Sequence, residues 1–176
     1  MPHEMEKKFN STANDILDAI SHGFRAQVDV KGKLAELYLY KKLNVLEKAG
    51  KIRGLEWHDK DGAPDFTLNY QNKLIRLECK NVRSQPTSKP ADGFRVEIQK
   101  TRNSKDGTNT RSYRKDYFDV LAVCTFNQTN NWEFLFVKAT NLELVEQNVD
   151  LLKIMQNVPA KAKPPWSEDI LESLEP

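Results

Sequence analysis

Two runs of alternating polarity, "PDFTLNY" over residues 64–70 and "KLIRLECKNV" over 73–82, stand two residues apart, with only Gln71 and Asn72 between them. A gap that short between strand-like runs argues for a tight antiparallel hairpin. Because side chains alternate between the faces of a strand, the hairpin sorts its residues. Phe66, Leu68 and Tyr70 share one face of the first strand, with Asp65, Thr67 and Asn69 on the other. In the second strand Ile75, Leu77 and Cys79 oppose Leu74, Arg76, Glu78 and Lys80. Asp65 is thereby brought toward Glu78 and Lys80, although thirteen positions separate the two acids. The ordinary explanation of an acid and an amine on one strand face is an exposed ion pair, which contributes little to stability. Chemistry is the other reading, and it depends on what surrounds the hairpin.

Ser and Thr in "NSTANDILDAI" can cap a first helix over residues 12–21, and a stronger helix covers "KGKLAELYLYKKLNVLEKAG". Ala35, Leu39, Leu43 and Leu46 form its apolar stripe, and Gly50 stops it. Glu36 lies at the edge of that stripe, where it either reaches a site at the sheet edge or marks the boundary with water. "IRGLEWH" (52–58) reads as a strand joined to the hairpin by the turn-like "DKDGA". After the hairpin come a polar connection, "RSQPTSKPADG", an alternating strand, "FRVEIQK", and a second polar stretch, "TRNSKDGTNTRSYRK". "YFDVLAVCTF" has the near-continuous apolar character of a central strand covered on both faces, and "NQTNN" turns it into a further strand, "WEFLFVK". Leu142, Leu144, Leu151 and Leu152 suggest broken helical segments, and "WSEDILESL" a final short helix capped by Ser167, with Glu168 and Asp169 in its first turn. There is no internal repeat. This order favours an α/β or α+β sandwich around a mixed sheet, and of these an α/β fold with a central mixed β-sheet flanked by helices is expected.

A chain of 176 residues suits one domain with one good core, so residues 1–176 are expected to form a single unit. No apolar run approaches the roughly 20 residues that span a bilayer, and "MPHEMEKKFN" lacks the apolar segment of a secretory signal, so no membrane association and a cytoplasmic location are expected. Cys79 and Cys124 lie in apolar strands and suggest no disulfide, while His3, His22 and His58 fit no zinc spacing. The net charge of +2 hides an asymmetry. Residues 83–115 hold nine Lys/Arg against three Asp/Glu, whereas residues 141–176 hold three lysines against seven acids. A local positive excess of that size suits a polyanion such as nucleic acid, and a solvated surface is the competing explanation.

Two carboxylates on neighbouring strands make a hard-oxygen site of the kind magnesium accepts. Alternation turns the Cys79 side chain into the core, but its backbone carbonyl can add a third oxygen. Lys80 beside them can orient or activate a water and offset charge on a phosphoryl group. Hydrolysis of a phosphodiester is the reaction this set suits best.

Here the residues meet a family. Pro64 and Asp65, followed after twelve residues by Glu78, Cys79 and Lys80, resemble the signature of the PD-(D/E)XK nuclease superfamily. With Glu36 on the preceding helix and the later strands in place, residues 31–138 resemble that family's core. The resemblance implies a restriction-endonuclease-like fold and a magnesium-dependent endonuclease, manganese being able to substitute, with no organic cofactor. It implies cleavage that leaves 5′-phosphate and 3′-hydroxyl ends. Asp65 and Glu78, with the Cys79 carbonyl, would bind metal, Lys80 would serve the attacking water, and Glu36 would support the metal site. The chain departs from the family where a helix usually stands between the third and fourth core strands. That interval holds an apparent strand and basic loops.

The region 83–115 then becomes a DNA-binding insertion, and residues 139–176 an accessory segment. Arg83, Arg95, Lys100, Arg102, Lys105, Arg111, Arg114 and Lys115 are candidate phosphate contacts, and Gln99 can approach the catalytic edge. Asn103 and Asn109 suit base reading or turn formation equally, and Tyr113 and Tyr117 suit base stacking or packing. Resemblance to compact type II restriction endonucleases implies double-stranded DNA as substrate and a homodimer as the active form. The alternatives are a Holliday-junction resolvase, a catalytically inactive DNA-binding module, and a structural domain with a surface charge network.

Overall fold

The computed structural model describes residues 2–60, 62–84, 92–100 and 111–175. In chain order its elements are α1 (Glu4–Phe9), α2 (Ala13–His22), α3 (Phe24–Lys48), β1 (Arg53–Trp57), β2 (Phe66–Tyr70), β3 (Lys73–Asn81), β4 (Gly93–Glu97) and β5 (Val120–Cys124). They continue with α4 (Phe126–Thr129), β6 (Phe134–Lys138), a 3-10 turn over Ala139–Asn141, β7 (Leu144–Val145), β8 (Asn148–Leu152), β9 (Met155–Pro159) and α5 (Ile170–Leu174). The chain divides into two units, residues 1–34 and 35–176. In the first, α1 and α2 each begin at a capping box, His3 with Glu6 and Thr12 with Asp15. Neither helix buries a residue.

In the second unit the hairpin closes as its sequence requires. Gln71 and Asn72 have φ of 48° and 63°, the left-handed backbone of a two-residue turn whose twist matches the flanking strands. Phe66 lies opposite Leu77, Leu68 opposite Ile75 and Tyr70 opposite Lys73. The main sheet has the order β1-β2-β3-β5-β6. It is antiparallel except where β3 and β5 run parallel, which makes it the mixed sheet expected. Asp119 fixes that parallel register: its carboxylate accepts from the backbone and side-chain nitrogens of Arg76 at 2.8, 3.1 and 3.0 Å, and its own amide donates to the Arg76 carbonyl. A bidentate guanidinium–carboxylate contact of this kind specifies direction as well as distance.

Both faces of the sheet are covered, for different reasons. Ala35, Leu39 and Leu43 of α3, together with Ile170 of α5, pack on Phe66, Leu68, Leu77, Cys79, Val120, Ala122 and Phe136. Gly50, at φ +70°, ends the approach of α3, as its place after the apolar stripe predicts. The fold is thus α/β, with a central mixed sheet flanked by helices. On the opposite face Leu121, Val123, Leu135 and Val137 pack with Val82, Val96, Ile98, Tyr113, Phe118, Leu142, Leu152 and Val158. That second layer is built from strands. β4 pairs with β9, and β7 with β8. A Cβ at Gly93 would meet the Val158 carbonyl oxygen at 2.3 Å, so the β4–β9 approach needs glycine there.

Two sequence expectations change. The leucines at 142, 144, 151 and 152 belong to a 3-10 turn's end and to strands rather than to broken helices, because Leu144 pairs with Leu152 and residue 152 is carried into the second layer. Asp169, not Ser167, caps α5, its Oδ1 accepting from the Leu171 amide at 2.9 Å. Ser167 is held instead in a backbone bridge to Phe136 of β6, so the helix starts beyond it. Leu77, fully buried between β2 and β5, should reveal how much the sheet depends on its helical face. Leu77→Ala is expected to cost about 2–5 kcal/mol, read as a lower urea midpoint at unchanged slope.

Candidate active site

The site begins where the β2–β3 ladder ends. Beyond the Phe66–Leu77 pair, the amide of Cys79 donates to the side chain of Asp65, Oδ2 at 2.8 Å, and the Asp65 carbonyl accepts from the His58 amide at 2.8 Å. Asp65 is therefore fixed through its main chain on the β1 side and through its carboxylate on the β3 side. Pro64 before it supplies no amide to continue the ladder.

Alternation sends Leu77 and Cys79 into the helical face of the core and Glu78 and Lys80 toward the second layer. Glu78 is 2% exposed, so the exposed-ion-pair reading of this strand does not hold. Its Oε1 accepts from Lys80 Nζ at 2.6 Å and from the Tyr113 hydroxyl at 2.6 Å. Its Oε2 is buried with no hydrogen-bond partner among the described residues. Lys80 Nζ also lies 3.1 Å from the Cys79 carbonyl oxygen and 3.6 Å from Asp65 Oδ2. One ammonium thus gathers oxygens from Asp65, Glu78 and Cys79, the same three donors that the sequence offered to a cation.

Burial and the neighbouring charges set the protonation of this group. Burial pushes the Glu78 carboxyl above the ordinary glutamate value, against the opposing charge of Lys80, and Asp65 adds to the rise. Burial would draw Lys80 down, but Glu78 and Asp65 outweigh it and hold the ammonium above the usual lysine range. Burial, with Glu78 nearby, likewise raises the Tyr113 phenol against the opposing charge of Lys80. Lys80 and Tyr113 are consequently proton donors to the carboxylate. A protonated Lys80 can orient a water or stabilise negative charge, but it has no lone pair with which to take a proton.

The donor set fits a hard divalent cation. An orphaned carboxylate oxygen in a buried position is an acceptor awaiting a positive partner, and two carboxylates with one carbonyl match magnesium's preference for oxygen. Among the described residues no group of three or more His, Cys, Asp or Glu side chains is gathered for a metal. The oxygen set differs from such a cluster because its third member is the main chain of Cys79.

Glu36, on α3 beside the buried Ala35, accepts from Trp57 Nε1 at 2.9 Å. Its charge is among those that raise the Cys79 thiol, which burial raises most. The candidate DNA contacts are differently placed. Arg83 pairs with Glu97 at 3.4 Å, and Gln99 donates to the same carboxylate. Arg95, on β4, keeps its Nε buried with no hydrogen-bond partner among the described residues. Lys100 and Arg111 face each other: the Lys100 amide donates to the Arg111 carbonyl at 2.9 Å, and Arg111 Nε returns to the Lys100 carbonyl at 2.8 Å. Arg114 pairs with Asp116 at 3.2 Å and Lys115 with Asp150 at 2.9 Å. Arg102, Asn103, Lys105 and Asn109 lie outside the described residues. Tyr113 and Trp57 are the contacts that residue patterns did not reveal. Tyr113 stands in a basic stretch 35 residues from Glu78, and no local periodicity links the two.

No protein-family model matches the sequence, and no curated protein matches it. Among solved structures, the bacterial homing endonuclease I-Ssp6803I gives a weak likeness, with a TM-score of 0.43 and 12% sequence identity over 81% of this chain and 79% of that one. Among the described residues no helix is long and apolar enough to cross a membrane.

The two cysteines offer a check on the core. Both are free and buried, and burial raises Cys124 to about 11 and Cys79 well above the usual thiol value. Native protein near pH 8 is expected to leave both unreacted with a thiol-exchange reagent, whereas unfolded protein should release the signal of two thiols.

Proposed function

We propose that this chain is a magnesium-dependent DNA endonuclease of the PD-(D/E)XK kind. The observation that carries the reading is the convergence of Asp65, Glu78 and the Cys79 carbonyl on the Lys80 ammonium at 2.6–3.6 Å, beside a buried carboxylate oxygen with no hydrogen-bond partner among the described residues. Asp65, Glu78 and the Cys79 carbonyl hold the ion, for which manganese can substitute. The ion supplies Lewis acidity to a phosphodiester and its attacking water. Lys80, kept protonated by its two acids, donates to that water or to a phosphoryl oxygen and offsets the charge that develops there. Glu36, steadied by Trp57, supports the same corner from α3. Water adds to phosphorus and the bond to the 3′ oxygen breaks, a proton ending on that oxygen. The products are 5′-phosphate and 3′-hydroxyl ends.

Double-stranded DNA is the proposed substrate, cut at a short symmetric sequence by a homodimer that presents one such set to each strand. The basic residues of 83–115 supply affinity. Three of them, Arg83, Arg114 and Lys115, are held in exposed ion pairs, which contribute about 0–1 kcal/mol each and can be exchanged for phosphate.

Asp65→Ala and Glu78→Gln are each expected to abolish magnesium-dependent cleavage of plasmid DNA while leaving most DNA binding. Lys80→Met should slow single-turnover cleavage about 10²–10³-fold at saturating magnesium, since it removes one preorganised donor. Wild-type rates in any of the three would remove that residue from the site, and cleavage confined to four-way junctions would replace the duplex substrate with a junction. Arg111→Ala combined with Lys115→Ala should weaken DNA binding and reduce the slope of log affinity against log salt by about 2. An unchanged slope would place both side chains away from phosphate.

A further inference from the structure

The two oxygens of Glu78 have unlike surroundings. Oε1 accepts two short hydrogen bonds, from Lys80 and Tyr113, whereas Oε2 is buried without a hydrogen-bond partner among the described residues. The two donors differ in kind. Lys80 reaches Oε1 from the same strand on a flexible stem, but Tyr113 is fixed by the second layer. The residue is 6% exposed, and its ring lies tilted against Tyr117 at 4.7 Å and meets Phe118 edge-on at 5.7 Å. Its carbonyl accepts from the Leu152 amide of β8 at 2.9 Å. A hydroxyl held at both ring and backbone has little freedom to follow the carboxylate. The carboxylate must orient to it.

The last torsion of a glutamate is broad, so nothing intrinsic to Glu78 selects which oxygen it presents. We propose that Tyr113 is a positioning residue for Glu78: by holding Oε1 it fixes the carboxylate plane and leaves Oε2 as the oxygen offered to a divalent cation. This rests on the metal-dependent reading above and assigns to it a residue from the basic stretch, one that residue patterns left open between base stacking and packing. Groups that orient a metal ligand from behind commonly govern metal affinity by about 10–100-fold.

Tyr113→Phe keeps the ring and its packing and removes only the hydroxyl. The midpoint of thermal unfolding is measured against rising calcium, which tests the metal site without turnover, and cleavage is measured against rising magnesium. In the variant, the metal concentration needed for half the effect should rise about 10–100-fold in both measurements, with a smaller fall in the rate at saturating magnesium. Tyr117→Phe, which removes the neighbouring phenol, should leave both metal dependences where they are in the wild type. A Tyr113→Phe protein that melts earlier but responds to the same metal concentrations has lost only packing, and the proposal is then wrong. An equal shift in Tyr117→Phe also overturns it, since the effect would then belong to the aromatic cluster as a whole. A wild-type protein whose melting ignores calcium, or responds no differently from Asp65→Ala, overturns the metal site itself. A metal response that depends on Asp65 but not on Tyr113 overturns the role of Tyr113 alone.

Discussion

A carboxylate that is 2% exposed cannot be left to itself in the middle of a sheet, and much of this fold is arranged around that constraint at Glu78. Removing an ionised group from water costs several kcal/mol unless charge and hydrogen bonds replace the solvent. Lys80 supplies the charge from two residues along the same strand, and Tyr113 supplies a hydroxyl from 35 residues away. Bringing Tyr113 back requires the second layer, because its backbone is tied to β8 and its ring to Phe118. The layer of paired strands that stands in place of a helical cover is thus also the support of the buried acid.

The two faces of the sheet divide the work. On one face β2, β3, β5 and β6 meet α3 and α5 mainly through apolar side chains, close-packed as a protein core is. On the other face the same strands carry Glu78 and Lys80 among apolar neighbours, so electrostatic contacts there act in a medium poorer in water and count for more. Asp119 locks β5 beside β3 by gripping Arg76, and the register it sets puts Leu121 directly beside Glu78. Polar specificity on this sheet comes from pairs fixed by backbone geometry.

The charge asymmetry of the chain is partly closed within the molecule. Lys115 meets Asp150, and Lys163 meets Asp92, so the basic stretch and the acid-rich end each find partners in the other. Such exposed pairs contribute little to stability. Arg83 and Gln99 converge on Glu97 within the basic stretch itself.

The hairpin was legible from residues alone because its period of two and its two-residue gap leave one way to pair, and Asp65, Glu78 and Lys80 followed from that pairing. The stripe of α3, its stop at Gly50 and the wholly buried β5 were legible for the same reason, since each rests on a local period or a local backbone preference. The elements after β6 were not. Short apolar clusters broken by polar residues have no decisive period, and only the pairing of Leu144 with Leu152 made strands of them. Tyr113 was equally hidden, because its role comes from a contact across the second layer rather than from its neighbours in sequence. The burial of Glu78 belongs to the same class. Alternation determines which face a side chain takes, but whether that face meets water depends on what the rest of the chain places over it, and here that is β4, β8, β9 and a tyrosine hydroxyl.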